Sequence, residues 1–329
     1  MPSTMPPPRW TSWSSENRGL TADLTAGRRL VSRPRLPGWA APWLLLTPAL
    51  ILLCVLVLLP YAGALLFSVT DGRLITIGTL PRLVGLSNFE KVVSSTGPEF
   101  GLVVAASAVF TLGTLVGSLG LGTLLGLAVT SLRPKLRGPL LALLLVPWII
   151  AGVVVGYTWK LVYDPQIGLA NAMLVPLGVG RVAWLLERWP AIAALVVANV
   201  WAAYGVVLLV VSSALTNVPQ SLILAGQVDG AGTLTIIRRI VLPNIRRAFL
   251  LAALVAVVSG LNVFDLIFVM TGGGPTYQTE TLALTMYRLT FRRGDIGEGA
   301  AVTVMLFCFS LALAIVYVWS WQREARKWR

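Results

Sequence analysis

The stretch Leu224-Ala-Gly-Gln-Val-Asp-Gly-Ala231, continued by Ile240-Val-Leu-Pro243, is a polar interruption between two apolar segments of membrane-crossing length. Pro219 suits a first helical position, where its missing amide proton costs nothing, and Asn217 is placed to cap that helix. The helix is expected to run to about Val228 and stop at Asp229-Gly230. Gly230 accepts the positive φ of a helix end, and Asp229 can accept hydrogen bonds from the amides that open the next turn. A second helix is expected to reach Arg239, with Pro243 ending it before the next span. The product is a short, rigid knob whose apolar face, Leu222, Leu224, Ala225 and Val228, is free to insert into a groove. The rival reading is an amphipathic loop lying on the membrane, held by Arg238 and Arg239. That rival does not require Asp-Gly-Ala at its observed spacing from Leu-Pro.

The rest of the chain is membrane-like. Of its 329 residues, 56% are apolar and only 12% charged, and the mean hydropathy of +0.81 is too high for a soluble domain. A helix needs about 20 apolar residues to cross a hydrocarbon core of about 30 Å. Six runs meet that length: Trp43 to Val69, Gly101 to Thr130, Leu140 to Trp159, Ile192 to Ala214, Ala248 to Met270, and Ala300 to Trp321. Backbone groups in lipid must be satisfied internally, and no short alternating strands of a membrane barrel are present, so the expected fold class is an all-α integral membrane protein with six transmembrane helices.

The net charge of +13 reports topology rather than nucleic-acid binding. With the N-terminus inside, the inner segments hold 17 basic residues: six in the tail, Arg133, Lys135 and Arg137, Arg238, Arg239, Arg246 and Arg247, and Arg323, Arg326, Lys327 and Arg329. The outer loops hold 9, together with Asp71, Glu90, Glu99, Asp164, Glu187, Glu280, Asp295 and Glu298. The positive-inside rule therefore predicts both termini in the cytoplasm. Cys54 and Cys308 fall inside apolar runs and read as small hydrophobes, with no disulfide or metal assigned. With no histidine, a Ser-His-Asp triad and His-containing zinc sites are excluded, and with no Gly-Lys pair the phosphate-binding loop of P-loop ATPases is absent. No catalytic or metal-ligating residue is expected, and any ATP would be bound by another chain.

Residues 1–40, rich in Pro, Ser and Arg, read as a disordered tail rather than a signal peptide. The first span and its outer loop occupy 41–99, a core of five spans 100–321 with the loop at 217–246, and a short tail 322–329. Gly113, Gly117, Gly122 and Gly126, and again Gly152 and Gly156, allow close helix approach; internal bundle packing is preferred to a dimerisation seam. Asp265 is an ionisable group inside an apolar run, a position that marks a cavity or a partner. Ser259 and Asn262 precede it by six and three residues, which places all three on one broad side of a helix. Asp265 serves either a pathway or a helix-end contact. Ser259 and Asn262 serve either a pathway or interhelical hydrogen bonds. Trp201, beside Ala203, could line an opposite wall or simply anchor the packing.

The 224–243 stretch resembles the coupling loop of binding-protein-dependent ABC importers, through Ala225, Asp229, Gly230, Ala231, Ile240, Leu242 and Pro243. Leu224 stands where that family usually has Glu, Gly226 where it has Ala, and Ile237 where it has Phe. Asn262-Val-Phe-Asp-Leu-Ile-Phe-Val-Met-Thr-Gly-Gly-Gly-Pro275, with Val84-Gly-Leu-Ser-Asn-Phe89 and Tyr163-Asp-Pro-Gln-Ile-Gly-Leu-Ala-Asn171, resembles the carbohydrate permeases of that family. The resemblance implies a type I importer permease in a prokaryotic plasma membrane, non-catalytic and forming half of a sugar pathway. Its implied partners are a cytoplasmic ABC ATPase that binds ATP and Mg²⁺, a second permease subunit, an extracytoplasmic solute-binding protein and membrane lipid. Leu224, Ala225, Gly226, Asp229, Gly230, Ala231 and Pro243 would meet the ATPase. Trp201, Ala203, Ser259, Asn262 and Asp265 would line the pathway of an oligosaccharide or related polyol. A glycerol-phosphate-like substrate, or an oligomeric channel, is the alternative.

Overall fold

The computed structural model describes residues 40–73, 81–95 and 100–326; the expected tail over 1–40, apart from its last residue, and the last three residues of the chain lie outside them. The described residues are almost entirely helical, with two isolated bridges, Thr70 to Leu83 and Arg73 to Asp295, and no strand. The helices are α1 Ala40–Leu53, α2 Leu59–Ser68, α3 Ser87–Ser95, α4 Phe100–Ser131, α5 Pro134–Ile149, α6 Gly152–Val162, α7 Leu169–Leu174, α8 Arg188–Thr216, α9 Gln220–Val228, α10 Thr233–Ile236, α11 Leu242–Leu261, α12 Asp265–Met270, α13 Leu282–Tyr287 and α14 Ile296–Arg326. The described residues divide into two units at Pro60, and the packing that builds the site lies within the second, from Tyr61 onward.

Five runs are long and apolar enough to cross a membrane, and the bent pair α5–α6 makes a sixth candidate. The expected straight third span, Leu140 to Trp159, is thereby corrected. α5 and α6 meet at 89°. Pro147 sits in the last turn of α5, and Ile150 and Ala151 leave helical geometry with ψ of 132° and 135°. The fifth span is corrected at both ends. It begins at Thr233 rather than Ala248 and stops at Leu261, and α12 opens only at Asp265 after a break. Pro243 does not end a helix either. It follows a π-turn, Ile237–Val241, inside the continuous run, and that wider turn absorbs the lost hydrogen bond and the ring's clash with the carbonyl four residues back. α2 uses the same device, with Pro60 after the π-turn Cys54–Leu58. The last helix runs on to Arg326, past the expected Trp321 boundary.

Two long helices, α4 and α8, are joined through glycines. A Cβ added at Gly113 would lie 3.0 Å from Val196, one at Gly122 would lie 2.7 Å from Val207 and 3.0 Å from the Leu208 amide, and one at Gly126 would lie 3.2 Å from Val211. Gly117 packs as tightly on Val200. The contacts advance in the same order along both chains, so α4 and α8 run parallel and end together at Ser131 and Thr216. This is packing inside the bundle. In lipid such an approach, with dispersion and buried polar bonds, replaces the hydrophobic drive available in water. Asn199 donates to Thr114 across the same seam at 3.2 Å.

The two broken spans meet each other. Gly152, the first residue of α6, packs directly on the Asp265 carboxylate, and a Cβ at Gly156 would lie 2.9 Å from Val269. The outer loops are tied to this frame by buried amides. Asn88 donates to Ser68 and Thr70 carbonyls at 2.9 and 2.7 Å. Asn171 donates to the Val182 carbonyl at 3.0 Å and accepts from the Val182 amide and the Trp184 indole, each at 3.1 Å.

Gly122→Ala should lower the thermal midpoint of the detergent-solubilised protein by the equivalent of about 1–3 kcal/mol of overpacking. Gly120→Ala should leave it unchanged, because nothing lies within 4 Å of a Cβ there. Gly152→Ala should destabilise the native chain yet cost little in an Asp265→Ala background. Additive losses across that cycle would show that the two breaks are independent.

Candidate functional sites at the 217–246 loop and the broken spans

The loop after α8 is built by a helix stop of the Schellman type. The Ala231 amide donates to the Gly226 carbonyl at 2.9 Å and the Gly230 amide to Gln227 at 3.0 Å, with Gly230 at φ +74°. Gly230 thus has the backbone role expected from the sequence. Asn217 does not cap α9. It ends α8, and its amide donates to the Ser213 carbonyl at 3.1 Å, while Pro219 is the residue before α9 and supplies no side-chain cap. Nor does Asp229 hold the next helix. Gly232 precedes α10, and the exposed Asp229 carboxylate accepts no hydrogen bond among the described residues. The fold makes no use of that charge.

The outer face of α9 is apolar and uncovered: Leu222 is 43% exposed, Leu224 56% and Val228 87%, with Ala225 exposed beside them. The inner face carries buried Gly226, where a Cβ would come within 2.8 Å of the Ile240 Cδ1. Glycine here lets α9 lie close on the π-turn. The obstructing atom is the end of a flexible side chain, so alanine fits with a small shift of Ile240. Ala231 is half-buried and Pro243 exposed.

The other five residues are spread over α8, the end of α11 and the start of α12. Ser259 is exposed on α11, and Asn262 ends that helix with its amide donating to the Val258 carbonyl at 2.7 Å. Asp265 starts a separate helix, its Oδ1 accepting from the Leu266 amide at 3.0 Å. The break at Val263 and Phe264 therefore overturns the single helical side expected for the three. Trp201 is half-buried, its ring edge-on to Trp159 at 6.0 Å, in a cluster that continues through Tyr163 and Trp184. It braces α8 against α6. Ala203 is half-buried on the same helix.

Beyond α12 lies a locked turn. Gly272 and Gly273 take φ of +59° and +92°. The Thr279 hydroxyl donates to the Gly274 carbonyl at 2.6 Å and sits 2.9 Å from that of Thr271. Glu280, 1% exposed, accepts from the Thr285 hydroxyl at 2.7 Å and the Arg288 Nε at 2.9 Å. Sequence reasoning passed over this ion pair because Glu280 was counted as an outer-loop acid; the buried apolar run directly after it was the available signal. On the other outer loop, the amides of Ile167 and Gln166 hold the exposed Asp164 carboxyl below its usual range. Among the described residues no group of three or more His, Cys, Asp or Glu could hold a metal ion.

Residues 118–326 match the family described as binding-protein-dependent transport system inner membrane component. The chain is 32% identical over 268 residues to the trehalose/maltose transport system permease protein MalF of Thermococcus litoralis, covering 80% of this chain and 88% of that one. It is 33% identical over 283 residues to the sn-glycerol-3-phosphate transport system permease protein UgpA of Yersinia pseudotuberculosis, covering 83% and 92%. Its fold superposes on a chain in the crystal structure of a bacterial ABC transporter that imports the acidic polysaccharide alginate, with a TM-score of 0.72, 20% identity and coverage of 87% and 96%. The chain therefore belongs to the binding-protein-dependent transport system inner membrane components, a family of multi-pass permeases.

Proposed function

We propose that this protein is one permease subunit of an ATP-driven carbohydrate importer, forming half of the translocation pathway for an oligosaccharide or related polyol. The observation that carries the reading is the 217–246 loop. Its apolar face and its Asp229 carboxylate are presented outward, and its backbone is fixed by bonds that use neither. Such a surface suits docking of a rigid helix into a groove on another chain. Relatives named as trehalose/maltose, sulfoquinovosyl glycerol and alpha-glucoside permeases support the carbohydrate assignment.

The chain contributes no catalytic group of its own. A separate cytoplasmic ATPase binds ATP and Mg²⁺ and receives α9, a second permease completes the pathway, and an extracytoplasmic solute-binding protein delivers the sugar to the outer loops. Alternating access follows from the partners' different affinities for two states of the permease. The excess of cations on the 217–246 side supports an orientation with that side, and both termini, in the cytoplasm of a prokaryotic cell. Asp265, where the two broken spans touch, is the pathway residue best placed to feel their relative motion. Asn262 and Ser259 lie at the same end of α11, and Trp201 with Ala203 belongs to the neighbouring wall.

Affinity purification of the tagged protein in mild detergent, with mass spectrometry of what accompanies it, should recover a P-loop ATPase, a second permease and a solute-binding protein. A lone homo-oligomer from a demonstrably intact preparation would overturn the importer assignment. Asp229→Asn should leave thermal stability unchanged and reduce ATPase recovery, because the side chain has no partner among the described residues. Gly230→Val should reduce recovery and also destabilise the loop, since a β-branched residue resists the left-handed conformation. Leu224→Glu, at a position 56% exposed, should be tolerated by the fold and should strengthen ATPase association.

A further inference from the structure

A cavity of about 420 Å³ opens beneath the loop, between the ends of α4 and α8, the start of α5, α9 and the π-turn before α11. Its lining divides by chemistry. Leu215, Ile223 and Ile237 give an apolar wall, and Arg137, Thr216 and Gln220 a polar one. Arg137 is half-buried and oriented by its Nε, which donates to the Leu132 carbonyl at 2.8 Å. Both of its Nη amines, and the Gln220 carboxamide, are without a partner among the described residues. Arg133, Lys135, Arg238, Arg239, Arg246 and Arg247 also lie at this end of the bundle.

The depth of the cavity is set by the spans. Phe100–Ser131 and Arg188–Thr216 run parallel and terminate beside it, and Thr233–Leu261 begins there. It therefore lies where hydrocarbon gives way to headgroups, and basic pockets between spans at that level attract anionic lipid. We propose that this cavity binds the headgroup of an anionic phospholipid, its phosphodiester on Arg137 and Gln220 and its glycerol and upper acyl chain against Leu215, Ile223 and Ile237. The volume falls in the range of about 300–1,000 Å³ typical of small-molecule sites. Net negative charge distinguishes the preferred lipid, since the quaternary ammonium of a zwitterionic headgroup would face the surrounding arginines. The bound lipid would splint α9 to the span ends. That consequence rests on the loop's proposed role in ATPase docking; the binding itself does not.

The test is native mass spectrometry of the full-length protein, stripped of lipid in a neutral detergent and given back phosphatidylglycerol or phosphatidylcholine. The wild type should retain one phosphatidylglycerol per chain in preference to phosphatidylcholine. Arg137→Gln should lower that retention about ten-fold, the loss of one charge-assisted hydrogen bond. Thr216→Trp, which fills the cavity with Arg137 intact, should do the same and answers the question if Arg137→Gln fails to fold. Arg133→Gln, exposed and outside the cavity, should retain lipid normally. Equal retention of the two lipids, equal phosphatidylglycerol retention in both cavity variants and wild type, or displacement of the lipid by millimolar inorganic phosphate would overturn the proposal. No ATPase takes part in this readout, so it can fail or succeed independently of the importer assignment.

Discussion

The close approach of α4 and α8 is the contact on which the rest of the structure depends. A membrane offers little apolar driving force between helices, so the bundle needs surfaces that come near enough for dispersion and short polar bonds. Glycines 113, 117, 122 and 126 provide that surface against valines 196, 200, 207 and 211, and Asn199 to Thr114 adds a buried hydrogen bond. Because the two helices run parallel, Ser131 and Thr216 arrive at one level. The 217–246 loop leaves from that shared platform, so the orientation of α9 is inherited from the seam.

Around this pair two of the other spans are broken where they meet. α5 and α6 bend by 89°, and α11 stops three residues before α12. The Asp265 carboxylate resting on Gly152 joins the two interruptions. A bundle with one closely packed pair and two broken spans sharing a contact suits the proposed alternating access, in which a few packed elements shift while the frame stays whole.

Much of this was legible in the residues. The glycine spacing announced internal packing, and Asp229-Gly230 announced a helix stop. The errors were local. Pro243 looked like a terminator because the rule for proline assumes an α-helical turn, and the preceding π-turn removes the clash that rule depends on. Pro147 and Gly152 lie within an unbroken apolar run, so hydropathy alone counted them as one straight span. Asn262 and Asp265 were assigned to a common helical side because nothing in Val263-Phe264 signals a break; Asp265 rests there on Gly152, a tertiary contact that no local pattern carries. Asp229 was given a structural bond that Gly232, the residue before α10, does not need from it, and that error is informative: a charge without use among the described residues is the one proposed to meet a partner.

The central claim is that the outward face of α9 seats on a separate ATPase. It is tested most directly by placing a photo-crosslinking side chain at Val228, 87% exposed, with Ile167 on the opposite side, 74% exposed, as the control, in the assembled complex. The account predicts a covalent product between Val228 and a P-loop ATPase that is absent from the Ile167 variant. Crosslinking of Val228 to lipid alone, in a complex shown to contain the ATPase, would contradict it.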